Sequence, residues 1–150
     1  MADAPPRAKH KELTKKEAQA ITDRAFDLER KIKNAAAHFH KGWWELAKNL
    51  YEFHEEGSWR AIGYDTLEEF LAQPEVGISR THFFRMTKMW RDLVVVKKLK
   101  PADLSEIEPS KVREVVPAIM RGEVKPADAL DDARGLSYSD VRIKYRPEER

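Results

Sequence analysis

The side chains best suited to chemistry lie between Ser79 and Lys100. Seven bases, Arg80, Arg85, Lys88, Arg91, Lys97, Lys98 and Lys100, stand there against the single acid Asp92. This net charge of +6 directly follows a stretch, residues 42–78, with a net charge of −6, although the whole chain carries only +2. A basic block beside an acidic one suits a surface that meets phosphate, and equally a solvated face.

Ser79 fits the N-cap of a helix predicted from Arg80 to about Val94. At about 100° per residue, Phe83, Met86, Trp90, Leu93 and Val94 share one wide sector that should face a core. Thr81, Phe84, Arg85, Lys88 and Asp92 fall opposite, with Arg80 and Arg91 at the flank. The N-terminal part of a recognition helix reaches base edges, where an arginine bonds guanine O6 and N7 together. Thr81 and Arg85 are therefore expected on bases, and Arg80 and Lys88 on bases or phosphates. Phe84 would meet a thymine methyl or a protein surface, and His82 a phosphate or the side of Met86. The candidate DNA-contacting set is thus Arg80, Thr81, His82, Phe84, Arg85, Lys88 and Arg91.

The elements that must position this helix come just before it. Thr66 and Glu69 form a capping box, so a short helix should start at Leu67 and stop at or before Gln73, ahead of Pro74. Glu75-Val76-Gly77-Ile78 then supplies a glycine-containing turn, completing a helix-turn-helix pattern. The stretch from Gly77 through Ser79, Phe83 and Phe84 to Met86 resembles the turn and recognition helix of helix-turn-helix DNA-binding proteins, most nearly the ParB and KorB type of partition and plasmid or phage regulators. That family expects apolar residues immediately before and after the turn glycine and again six and nine residues on, where this chain has Val76, Ile78, Phe83 and Met86. The resemblance covers residues 66–94, and the run from Val112 to Asp140 is vaguely similar to the helical segment that follows the motif. Gln73 replaces the family's small residue, and Pro74 interrupts the end of the first helix, which implies a longer turn or a shifted first helix. The arginine-rich nucleotide-binding box of full partition proteins is absent, so the resemblance implies no nucleotide activity.

Upstream, Thr14 with Glu17 makes another capping box. Apolar residues then recur at Ile21, Ala25, Leu28, Ile32, Ala35, Phe39, Trp43, Leu46, Leu50 and Phe53, in steps of three and four. This predicts a long amphipathic helix, or two helices joined near Gly42, ending at Gly57. Such a seam suits a coiled coil with a second copy, so a homodimer through residues 14–53 is expected. It also suits packing within its own domain, which the adjacent Trp43 and Trp44 favour for the second half. Residues 1–13, with Pro5 and Pro6, read as a disordered basic arm. Downstream, a helix should begin at Ser110, kink or restart at Pro117 and end at Gly122. Another should run from Pro126 to Gly135, and a last one should be capped by Ser137 with Asp140 and reach Tyr145. Leu104, Ile107, Val112, Val115, Ile119, Leu130 and Leu136 would complete a bundle. Arg142, Lys144, Arg146 and Arg150 form a tail that either touches a phosphate backbone or stays solvated.

The expected fold is all-α: an arm (1–13), a long helix or hairpin (14–57), a helix-turn-helix region (58–100) and C-terminal helices (101–150). With 150 residues, 41% hydrophobic and 36% charged, the chain is of single-domain size and still able to build a core. No apolar run approaches the roughly 18 residues of a membrane span, and Met1 to Leu13 lacks the apolar stretch of a secretory signal. The absence of cysteine excludes disulfides and thiolate metal sites. A cytoplasmic location, associated with the nucleoid if DNA is bound, is expected. His38 and His40, two apart, point about 200° from each other on a helix and do not share a metal. The phosphate-loop, GxGxxG, HExxH and GxSxG motifs are absent as well. Hence no catalytic, cofactor or metal-binding residue is expected. Trp43, Trp44, Trp59, Tyr64, Phe70 and Trp90 lie at core spacing rather than forming a platform for single strands. Two functions remain open. One is a sequence-specific duplex-DNA binder regulating transcription, replication or partition, with half-sites about 34 Å apart if it pairs. The other is a helical adaptor or inhibitor working through the residue 14–53 seam.

Overall fold

The computed structural model describes residues 14–146; the expected arm, residues 1–13, and Arg150 lie outside them. Every regular element among the described residues is helical. The chain divides into two units, Met1–Ala36 and Ala37–Arg150.

Helix α1 (Lys15–Glu55) is a single helix that does not break at Gly42. An exposed helical glycine costs only about 1 kcal/mol against alanine, less than the packing that follows it returns. In the first unit, the capping box forms in both directions. The Glu17 N–H donates to Thr14 Oγ1, and the Thr14 N–H donates back to Glu17 Oε1, each at 3.1 Å. The same Thr14 donors hold the Glu17 carboxyl below its ordinary range. Lys31 to Asp27 (3.1 Å) and Lys33 to Glu29 (3.6 Å) add i,i+4 pairs along the helix. The seam itself stays uncovered: Ile21, Leu28 and Ile32 are 57%, 40% and 67% exposed.

In the second unit, α1 does pack on its own domain, with Leu50 buried as expected but Trp44 and Ala47 buried in place of Trp43 and Leu46. Trp44, Ala47 and Leu50 are buried, whereas Leu46 is exposed and Trp43 half-buried. Trp44 sets this register, because its indole N–H donates to the Ile107 carbonyl at 3.1 Å. A buried indole needs such an acceptor, and Trp43 has no equivalent place to turn. Gly57, at φ 65°, closes α1 by donating its N–H to the His54 carbonyl at 3.1 Å.

Short helices follow: α2 (Ser58–Ala61), α3 (Leu67–Leu71), then α4 (Arg80–Trp90). The helix predicted to reach Val94 instead changes character after Trp90 and continues as a π-helical turn, Arg91–Val96. Its wider turn is visible in the Lys97 N–H donating to the Asp92 carbonyl at 3.0 Å, five residues back. After α5 (Pro101–Leu104), helix α6 (Pro109–Met120) passes through Pro117 without restarting and stops at Gly122, φ 75°. Helices α7 (Pro126–Gly135) and α8 (Tyr138–Tyr145) begin where Pro126 and Ser137 predict, the Asp140 N–H donating to Ser137 Oγ at 3.1 Å.

Phe83, Met86 and Leu93 meet Leu104, Val112, Val115 and Ile119 in one core, all at or below 1% exposure. Val141 anchors α8 in the same core. The α7–α8 contact is closed by Asp132, which accepts from Lys144 Nζ at 2.8 Å and from the Tyr145 hydroxyl. Those two donors hold Asp132 below the usual carboxylate range, while burial and the facing Asp132 push the Tyr145 phenol up. With α8 fixed in this way, Arg146 reaches the buried Glu114 of α6, Nε to Oε1 at 3.2 Å.

Candidate nucleic-acid interface

The site is built from three local devices. Thr66 caps α3 by accepting the Glu69 N–H at 3.2 Å, and Leu67 and Leu71 bury one side of this five-residue helix. Pro74 therefore falls in the turn and not in the helix, so a longer turn, not a shifted helix, accommodates it. That turn closes when the Gly77 N–H donates to the Gln73 carbonyl at 2.8 Å, with Gly77 at φ 57°, a conformation that favours glycine. Ser79 then caps α4, its Oγ accepting the His82 N–H at 3.1 Å. The Ile78 N–H donating to the Leu71 carbonyl at 3.2 Å ties the two helices across the turn.

On α4, Phe83, Met86 and Trp90 face inward, as the helical angles predict. Thr81, Arg85, Lys88 and Arg91 face outward and are exposed, and His82 is half-buried. Arg80 pairs with Glu68 of α3 at 3.1 Å, and its guanidinium lies 5.4 Å over the Phe84 ring. The Phe84 ring, 39% exposed, also meets His54 edge-on at 6.0 Å. Phe84 is thus an apolar step on the surface, held between the Arg80 guanidinium and the His54 ring. Arg85 has no carboxylate partner among the described residues.

Asp92 departs from the expectation. Expected on the outward face, it is 4% exposed, because the π-helical turn that carries it packs on α6 and the Lys88 and Arg91 side chains close over its carboxylate. Burial of its carboxylate is compensated by Lys88 Nζ at 3.0 Å and Arg91 Nη2 at 3.3 Å. Those two cations therefore reach the surface already tethered, their side chains still 64% and 50% exposed.

One basic residue escaped the sequence reading. Arg113 of α6 is exposed and lines the same groove as Arg85, Lys88 and Arg146, about 170 Å³ in volume. The spacing of Val112, Val115, Val116 and Ile119 does put Arg113 off the buried face of α6. Only the packing of α6 beside α4 reveals that it stands next to the basic block. His38 and His40 do not converge, and among the described residues no group of three His, Asp or Glu side chains could hold a metal ion. No helix among them is long and apolar enough to cross a membrane. Compared with known proteins, the chain matches no family model, no curated protein sequence and no solved structure.

Proposed function

We propose that this protein binds double-stranded DNA sequence-specifically, as a regulator of transcription or of plasmid or phage replication and partition, with α4 as its recognition helix. The observation that carries the reading is the two-sided character of α4. Its inner face is locked by fully buried Phe83 and Met86, while Thr81, Arg85, Lys88 and Arg91 project from the other side of a helix that follows a glycine turn. A rigid helix with bases on its free face is what base-edge and phosphate contacts demand. The test is fluorescence anisotropy on a random-sequence duplex at several salt concentrations, native chain against Arg80→Ala/Arg85→Ala. Each phosphate contact contributes about −0.9 to the slope of log affinity against log salt, so the double variant should bind more weakly and with a shallower slope, by at most roughly two such increments. No binding by the native chain at low salt, or an unchanged slope in the variant, would sink the proposal.

In this reading the uncovered seam of α1 pairs with a second copy. Ala18, Ile21, Ala25, Leu28, Ile32 and Ala35 follow a heptad's two apolar positions, and in a parallel pair Arg24 of one chain falls opposite Glu29 of the other. The flanking positions oppose no like charges. Leu28→Asp/Ile32→Asp should therefore convert a dimer to a monomer in sedimentation equilibrium without loss of helix in the second unit. The exposure of Ile21 and Ile32 also favours the second reading, a helical adaptor that grips a different protein by this seam. That reading predicts a monomeric native chain and a function indifferent to Arg80 and Arg85.

A further inference from the structure

Arg85 and Arg113 come from different helices, neither has a carboxylate partner among the described residues, and both line one groove. Met89, Val116 and Pro117 supply its apolar lining. Asp92 is the one acid among the described residues of that lining, and its two oxygens are already taken by Lys88 and Arg91. Arg146, also in the lining, is held by Glu114 from behind. What remains among the described residues is a pair of guanidinium groups without a carboxylate partner, lining a groove of about 170 Å³ together with Lys88. Two arginines left unpaired beside each other repel. An arrangement of this kind is stabilised by an oxyanion that accepts from both forks, which is the geometry by which guanidinium recognises phosphate.

We infer that the α4–α6 groove is a phosphate-binding site in which Arg113, together with Arg85 and Lys88, holds one phosphodiester of the duplex backbone. The inference rests on the DNA-binding proposal for its occupant, adds to that proposal a contact outside the helix-turn-helix, and moves Arg85 from the base edge expected of it to the backbone. In such complexes, backbone contacts fix the register of a recognition helix while base contacts read the sequence. Arg113 would be a positioning contact of this kind, independent of sequence.

The test compares the native chain, Arg113→Ala and Arg113→Lys on the same random duplex across salt. Arg113→Ala should weaken binding and make the salt slope shallower, by at most about 0.9, the contribution of the one phosphate that the three cations share, whereas Arg113→Lys, which keeps the charge, should hold the native slope. Arg113 is exposed, so its variants should keep the native melting curve, which circular dichroism verifies. A native slope in Arg113→Ala, alongside a loss in Arg80→Ala/Arg85→Ala, would overturn the groove and leave the DNA proposal standing. If the native chain fails to bind duplex at all, a titration with inorganic phosphate followed on the Arg85 and Arg113 Nε–H NMR signals decides the groove separately. Saturating shifts of both signals would support a phosphate site with a different source of phosphate, and static signals would overturn it.

Discussion

Phe83→Ala should cost about 3–5 kcal/mol of folding stability, enough to leave the second unit partly unfolded at ambient temperature. The ring is fully buried, with the His54 ring edge-on at 5.5 Å and Phe84 at 5.1 Å. It stands where α1, α4 and the buried residues of α6 meet, so no single side chain can move in to fill the space. Thr87 ties the same turn to itself by donating its hydroxyl to the Phe83 carbonyl at 3.0 Å, which keeps the backbone in place while the cavity opens. Urea denaturation monitored by tryptophan fluorescence measures the loss, Trp44 and Trp90 being buried in the same cluster. Phe84→Ala is the internal comparison, since it removes an equally large ring from the surface. It should cost under about 1 kcal/mol and act mainly on binding. Equal losses at the two positions would mean that α4 is rotated from the orientation described, and the outward assignment of Arg85 and Lys88 would fall with it.

Much of this fold is legible in the sequence because its helices are punctuated locally. Thr66, Ser79 and Ser137 each accept the backbone N–H three residues on, and Gly57, Gly77 and Gly122 take positive φ where a helix ends or a turn needs it. Such signals involve neighbours in the chain and survive without knowledge of the packing. The inward face of α4 is equally legible, since Phe83, Met86 and Trp90 recur at helical spacing. What the sequence does not carry is which second surface each helix meets. Asp92 lies nearly opposite Phe83 on a helical wheel and reads as solvent-facing, yet the turn that carries it packs on α6 and Lys88 and Arg91 close over it. Arg113 sits in an unremarkable run of α6 and joins the candidate site only because that helix lies beside α4. Trp43 and Trp44 are interchangeable on paper, and the Ile107 carbonyl, far along the chain, chooses between them. Tertiary partners make these choices, and periodicity is blind to them.

Asp92 supplies the prediction in which stability and binding separate. Asp92→Asn keeps the shape of the side chain but removes the charge that two bases share, at 3.0 Å from Lys88 and 3.3 Å from Arg91. The buried partner is the one lost, and the two remaining charges are already half in water. No charge is therefore stranded in the interior, and the cost falls to about 1–2 kcal/mol, the loss of charge-assisted hydrogen bonds less the desolvation that the carboxylate no longer suffers. The effect on DNA should have the opposite sign. The groove loses the one acid among its described residues, Lys88 and Arg91 are released toward the phosphates, and the exposed face of α4 gains a full unit of positive charge. Low-salt affinity should rise, and the salt slope should steepen by about 0.9 for each further phosphate engaged. Thermal melting and anisotropy titration on one preparation read both effects. If stability and affinity fall together, the tether to Asp92 is what aims Lys88 and Arg91 at their targets. If stability falls while affinity stays level, these bases form only a solvated face and meet no phosphate.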